Sequence, residues 1–452
     1  MMKRVQTFLL SSIISGVLIS SAALLAHKPS WGERIAQRGI TLGKVFRLPP
    51  LSLRTVQNNA IPNQVSDDRR IRIGGLFSGL DHSPSDPDNV FYAIADRGPN
   101  DRITVDGEKR RTFPVPDYTP VIYKLAANNG QLEILDSIPI RNQAGAPITG
   151  LPNTSNDEVP YDFSAQVQLS LNPNGLDTEG IARSPDGTFW LCDEYSPSVS
   201  HIAPNGTMVR RLVPKGVSLD AATDVRQVLP AIYSNRRLNR GFEGIDTNLT
   251  GDRLFVALQS PLDFPTKKIG RASQMMRLLV IDTETLQPIA EYVYVAETAS
   301  SFATEKQGDL KLGGVAYVNP TTLLLIERTD NVARIYQVDL SGATNILGSQ
   351  WDDPSNTANP LESLQPVDLA TQGIIPVRKN LLVDLGEFAE IPGKIEGLAI
   401  IDASTIAIGN DNDFGFDSFD DRGQAVNNSR ANMLAIVELD RPLPYEGLSQ
   451  LY

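Results

Sequence analysis

Short apolar runs, each bounded by a turn signal, follow one another along most of this chain. Glu179 to Arg183 reads as a strand, Ser184-Pro185-Asp186-Gly187 as a turn, and Thr188 to Cys192 as a second strand. The turn has a mechanism: proline presets φ and glycine accepts φ > 0. Thr250-Gly251-Asp252 and Val318-Asn319-Pro320 do similar work further on. Two more β-like runs often follow, as at Ser198 to Ala203 and Thr207 to Val213, or at Met276 to Ile281 and Ile289 to Val295.

The pattern repeats with a phrase attached. Asp177-Thr178-Glu179-Gly180-Ile181-Ala182 leads to Asp193-Glu194, Phe242-Glu243-Gly244-Ile245 to Gln259-Ser260, and Leu312-Gly313-Gly314-Val315 to Glu327-Arg328. Ile395-Glu396-Gly397-Leu398 leads to Asp411-Asn412-Asp413, and a looser copy, Ile73-Gly74-Gly75-Leu76, leads to Asp96-Arg97-Gly98. A fixed internal period marks a repeat architecture. Four short antiparallel strands per unit, each unit covering the next, describe an all-β fold of the β-propeller type. Five blade signatures are clear and five to seven blades are possible, with a helical insertion expected within Leu219 to Arg237.

In a propeller blade the innermost strand begins on the face where the second strand ends. The two halves of each repeat therefore share one rim. That rim carries Glu179, Glu243, Glu396, Asp193, Glu194, Glu327, Asp411 and Asp413, with Asp96 and Gln259. So many like charges raise one another's pKa values, and a hard cation with oxygen ligands resolves this, Ca²⁺ being the natural candidate. The alternative is a set of solvated turn acids that never converge. Asp411-Asn412-Asp413-Phe414-Gly415 is a dense carboxylate loop whose spacing departs from the EF-hand; its alternative is an Asx-rich turn bonding its own backbone. Arg97, Arg240 and Arg328 stand beside rim acids. They suit bidentate capture of phosphate, or equally salt bridges to a neighbouring blade. Trp190 reads as core and Tyr195 as a rim residue.

Composition limits the function. The chain has 452 residues, 41% hydrophobic and 21% charged, which is ordinary for a soluble globular protein. Its net charge of −12 argues against a nucleic-acid partner. One cysteine, Cys192, excludes an intramolecular disulfide and reads as a small buried hydrophobe. With only His27, His82 and His201 and no Gly-x-Ser-x-Gly elbow, a histidine-dependent serine hydrolase has little to work with. Zinc sites built on His and Cys fail on the same count, and no Walker A loop or Rossmann glycine pattern occurs.

Met1-Met2-Lys3-Arg4 followed by the apolar run Phe8 to Ala26 makes residues 1–26 a signal peptide or an N-terminal anchor. Either way the body is extracytoplasmic, periplasmic or secreted, with membrane attachment only if the segment stays uncleaved. Residues 27–70 form a leader in which Ile40 to Leu48 is a possible ring-closing strand, and residues 71–452 form the propeller domain. A monomer is expected.

Several stretches together resemble one family. They are Gly175 to Ala182, Phe189 to Pro197, Arg240 to Ile245, Ala257 to Leu262, Leu325 to Arg328, Lys394 to Leu398 and Gly409 to Gly415. The chain resembles the phytase-like family, described as having esterase-like activity of the phytase type and related to β-propeller phytases. The resemblance implies a propeller and Ca²⁺-assisted cleavage of phosphate esters. No Arg-His-Gly signature of histidine acid phosphatases is present.

The expected function is a calcium-dependent hydrolase of phosphate or other esters, acting on a small molecule. Metal ligands are expected at Glu179, Asp193, Glu243, Glu396, Asp411 and Asp413. Glu194 or Glu327 would orient the attacking water, and Arg240 and Arg328 would stabilise negative charge. The alternatives are a non-catalytic binding propeller with structural calcium and a lactonase-type propeller hydrolase.

Overall fold

Strands that bury both faces must be covered from both sides, and the second strand of each repeat does so. In Arg253–Leu258, the side chains of Leu254, Val256 and Leu258 join one apolar cluster while Phe255 and Ala257 join another. In Thr322–Arg328, Leu323 and Leu325 face one neighbour and Leu324 and Ile326 the other. The period of two thus distributes each strand between two cores.

The computed structural model describes residues 39–447. The signal or anchor segment, residues 1–26, lies outside the described residues, as does the leader up to residue 38. Among the described residues, no helix is long and apolar enough to cross a membrane.

The fold is all-β, built from several sheets with a few helical turns. Unit 1 comprises Gly79–Asp81, Val90–Ile94, Val121–Asn128 and Gln131–Pro139. Unit 2 comprises Thr178–Arg183, Phe189–Asp193, Ser198–Ile202 and Met208–Pro214. Unit 3 is Phe242–Thr247, Arg253–Leu258, Met275–Asp282 and Pro288–Val295, and unit 4 is Lys311–Asn319, Thr322–Arg328, Ala333–Asp339 and Arg378–Asp384. Unit 5 takes Ile395–Asp402, Thr405–Asn410 and Met433–Glu438 from one end of the chain and Thr41–Arg47 from the other. That N-terminal strand pairs antiparallel with Met433–Glu438, and its Arg47 pairs parallel with Gln131. Units 5 and 1 thereby merge into one eight-stranded sheet.

The first strands of the units touch in a cycle: unit 1 with 2, 2 with 3, 3 with 4, 4 with 5, and 5 with 1. The glycine of the repeated phrase makes this approach possible. A Cβ on Gly180 would stand 2.9 Å from the Glu243 carbonyl oxygen, and one on Gly314 2.6 Å from that of Glu396. A side chain in either place would push neighbouring backbones apart.

Three expectations change in detail. The first strand of unit 1 is Gly79–Asp81 rather than the Ile73-Gly74-Gly75-Leu76 phrase, and it is Gly79 that meets Gly180. The insertion after unit 2 adds a strand, Asp224–Leu229, parallel to Met208–Pro214, and only Ala231–Asn235 is helical, as one 3₁₀ turn. An α-helix forms instead at Leu53–Ala60, where the Ser52 side chain accepts the Thr55 N–H.

Candidate functional site

The N-terminal ends of the first strands bring carboxylates together. Glu179, Glu243 and Glu396 each place an oxygen within 4.8 Å of the others, and Glu179 does the same with Asp96 and Asp177. Glu179 therefore belongs to both groups. Glu243 is fully buried, and Glu179 and Glu396 nearly so. Two such groups of carboxylate oxygens fit a metal ion in their donor set. Glu194 lies beside them, and both of its carboxylate oxygens are buried without a hydrogen-bond partner. Buried polar groups are almost always paired in folded proteins, and the one ion-pair neighbour of Glu194 among the described residues is Arg97 at 3.7 Å.

Electrostatics give the same picture. Burial, then the charges of Glu243 and Asp177, push the Glu179 carboxyl well above its ordinary range. Burial, then Asp177 and Glu243, do the same to Glu194. Burial lifts Glu396 to about 8, although Arg328 and Lys394 oppose it. Asp96 is raised by burial and by Asp411 and Asp177. The chain supplies only part of the compensating charge. Arg328 pairs with Glu243 at 3.1 Å and with Glu396, while its Nε and Nη1 have no hydrogen-bond partner. Arg97 pairs with Asp177 at 2.9 Å and stands 3.7 Å from Glu194. Arg240 has an unpartnered Nη1, and burial with nearby Arg237 lowers it to about 10.

A cleft of about 740 Å³ opens beside this centre, lined by Lys311, Lys394, Asp411, Asp413 and Arg430 among others. Lys394 reaches Asp411 at 2.6 Å and also Asp413. Burial would raise Asp411, but Lys394 outweighs it and holds the carboxyl below its ordinary range. Burial, then Arg328 and Arg240, lower Lys311 to about 8.

The expected site residues thus fall into three sets. Glu179, Glu243, Glu396, Glu194, Arg240 and Arg328 are brought together. Asp411 and Asp413 lie at the edge, their charge occupied by Lys394. Asp193 and Glu327 are turned elsewhere. Asp193 accepts the N–H groups of Asp177 at 2.8 Å and Tyr195 at 3.0 Å, and the Ser198 hydroxyl at 2.6 Å, so it organises backbone. Glu327 faces Tyr294 and Lys379 on units 3 and 4. Asp177, not among the expected ligands, joins the carboxylate group with Asp96 and Glu179 and stands two residues before Glu179 in the repeated phrase. Tyr195 is buried, its hydroxyl donating to the Gly150 carbonyl at 3.0 Å.

Residues 71–414 match the phytase-like family, described as having esterase-like activity of phytase. The chain belongs to the phytase-like family. A curated relative from Arthroderma benhamiae, named an uncharacterized secreted protein, is 23% identical over 325 residues, which is 61% of this chain and 63% of that protein. This chain thus spans less than two thirds of that relative's length. Among solved structures, aldose sugar dehydrogenase from Streptomyces coelicolor in its PQQ-bound form is 11% identical, with a TM-score of 0.32 and coverage of 82% of this chain and 86% of that one. Kuenenia stuttgartiensis hydrazine synthase is 12% identical, with a TM-score of 0.28 and coverage of 75% and 56%. Likeness at this level carries no argument about activity. Family and geometry together give an esterase- and phytase-related β fold with acidic groups able to chelate a metal.

Proposed function

We propose that this chain is an exported, metal-assisted hydrolase of phosphate or other esters, working as a monomer at the acidic centre of a five-bladed propeller. The cyclic contact of the first strands supports the propeller reading. The observation that carries the functional reading is the convergence of Glu179 with two carboxylate groups, beside a Glu194 whose buried oxygens accept no hydrogen bond. Glu179, Glu243, Glu396, Asp177 and Asp96 would hold the cation, with Ca²⁺ preferred because every ligand is a hard oxygen. When bound, the cation supplies Lewis-acid polarisation of a phosphoryl or acyl oxygen.

The chain's own residues do the rest. Arg328 keeps Glu243 and Glu396 in place, and its Nε and Nη1, which make no hydrogen bond although Nη1 stands 3.5 Å from Asp330, face developing negative charge. Arg240 adds a second guanidinium with an unpartnered nitrogen. Glu194, its pKa raised by burial and by Asp177, exchanges a proton with the attacking water or the leaving oxygen. The cleft holding Lys311, Lys394 and Arg430 admits the substrate. Export is supported by the basic start and apolar run of residues 1–26 and by the secreted relative.

A second reading keeps the metal but not the turnover. Arg328 already neutralises part of the Glu243 and Glu396 charge, which suits a structural cation in a binding propeller. The deciding experiment is metal analysis of the purified protein with a panel of phosphate esters, carboxyl esters and lactones, with and without chelator. The hydrolase reading expects bound divalent metal, turnover lost on chelation, and a melting temperature restored by Ca²⁺. At a hundredfold excess over Kd, binding contributes about 2.7 kcal/mol. Metal that stabilises without turnover of any ester or lactone supports the binding reading. Unchanged melting of metal-free protein on adding Ca²⁺ removes the calcium assignment.

A further inference from the structure

The first strands have a second end. On Thr178–Arg183, Phe242–Thr247 and Ile395–Asp402, the glutamates stand near the start, while Arg183, Asp246 and Ile400 lie three or four residues further along. At about 3.3 Å per residue this second end is roughly 10–13 Å from the acidic centre. A cavity of about 130 Å³ opens there. That is near the volume of about 150 Å³ that admits a benzene-sized guest.

Leu80, Leu249, Leu398 and Ile400 give the cavity an aliphatic wall, and Asp81 and Asp246 put carboxylates on it. Asp81 is only 9% exposed. Its Oδ2 is buried and has no hydrogen-bond partner. Asp246 is already committed to backbone, accepting Thr247 N–H at 2.7 Å and Tyr317 N–H at 2.6 Å. Arg183 also lines the cavity; its guanidinium donates to Ser83 Oγ at 3.1 Å and stands 3.7 Å from Asp86, and its charge offsets only part of what burial does to Asp81. Tyr445 also lines the cavity. Its segment is tied down by Leu443 N–H to the Ala403 carbonyl at 2.6 Å and by Glu446 N–H to that of Val318 at 2.9 Å.

We propose that this second end binds a small primary ammonium ion, with Asp81 Oδ2 as its acceptor, Asp246 as a second negative charge and the aliphatic wall around its alkyl part. The donor set decides against a metal. Ca²⁺ takes six to eight oxygens, whereas here Asp81 Oδ2 is the one buried carboxylate oxygen without a hydrogen-bond partner, both Asp246 oxygens already accept backbone N–H groups, and the wall mixes aliphatic with polar side chains. Asp81 also belongs to neither metal-competent carboxylate group found among the described residues. An ammonium group needs few acceptors, and its carbon chain removes apolar surface from water. Burial, then the charge of Asp246, hold the Asp81 carboxyl well above its ordinary range, a condition that a bound cation relieves.

The test is calorimetric titration of the full chain with n-butylammonium, using 1-butanol as the uncharged control. One saturable site for the ammonium and none for the alcohol is expected. Asp81→Asn should weaken binding at least tenfold, and Leu249→Trp, which crowds the wall while leaving both acids, should weaken it too. Glu179→Gln should bind n-butylammonium like the parent, which separates this site from the acidic centre. Melting curves establish that each variant is folded, and Leu249→Trp serves if Asp81→Asn is not. Failure of the parent protein to bind n-butylammonium overturns the proposal. So does binding that survives both substitutions, or a Ca²⁺ site removed by Asp81→Asn in place of an ammonium site.

Discussion

Glu327 and Arg328 are neighbours on one strand and lead into opposite environments. Glu327 is completely satisfied: it accepts from the Tyr294 hydroxyl at 2.7 Å, Glu297 N–H at 2.6 Å and Lys379 Nζ at 2.8 Å. Arg328 points the other way, to Glu243 and Glu396, in a centre where carboxylates exceed the cations that reach them. Both regions are buried and both are acidic. The difference is the donor count. A buried acid with a full set of donors is a structural joint. A group of buried acids short of donors is poised for a ligand's charge.

The sharpest way to break this comparison is to neutralise one acid in each region. Glu179→Gln removes the carboxylate common to both metal-competent groups. Ester turnover should fall on the order of a hundredfold, about 2.7 kcal/mol in the barrier. Glu327→Gln should leave turnover within about twofold. Initial rates at matched metal occupancy measure both. A reversed order would reassign the catalytic carboxylate to Glu327 and return the acidic centre to a structural role.

The same pair sharpens the comparison through stability. Glu327→Gln keeps the shape but loses the charge that answers Lys379, so unfolding free energy should drop by about 2 kcal/mol. The midpoint of a urea titration reads this. In metal-free protein, Glu179→Gln should destabilise less, or even stabilise, because it removes one of several repelling charges. Greater loss for Glu179→Gln than for Glu327→Gln would mean that the acidic centre already carries its own compensation.

Much of this was legible beforehand. The Glu-Gly phrases placed Glu179, Glu243 and Glu396 at equivalent starts of first strands, and a repeat brings equivalent positions together. Adjacency in sequence does not put Glu327 and Arg328 in one cluster, because successive side chains of a strand point to opposite faces. Strand parity separates them: Leu323 and Leu325 face unit 3, so Glu327 does too, while Leu324 and Ile326 face unit 5, and Arg328, on their side of the strand, reaches the centre where Glu243 and Glu396 meet. Parity does not extend to Glu194, which lies in the turn just past the strand Phe189–Asp193. Lys394 meets Asp411 within unit 5, where the two continue the antiparallel register of Ile395 with Asn410, whereas the pairing of Arg97 with Asp177 depends on how segments of two different units fold over the centre and has no local sequence rule.

The smallest expected effect concerns a residue with no part in either region. His201 stacks on Trp190 with ring centroids 4.2 Å apart and planes 8° from parallel, across paired strands of unit 2. Trp190 is buried and faces the core shared with unit 3, while His201 is only part-covered. The stack is worth about 1 kcal/mol, so His201→Ala should lower stability by that much and leave turnover within about twofold. The carboxylate and arginine chemistry proposed for the centre gives imidazole no proton to move. A folded His201→Ala protein that no longer turns over ester, assayed beside an active parent, would therefore remove Glu194 from its role as the proton-exchanging group.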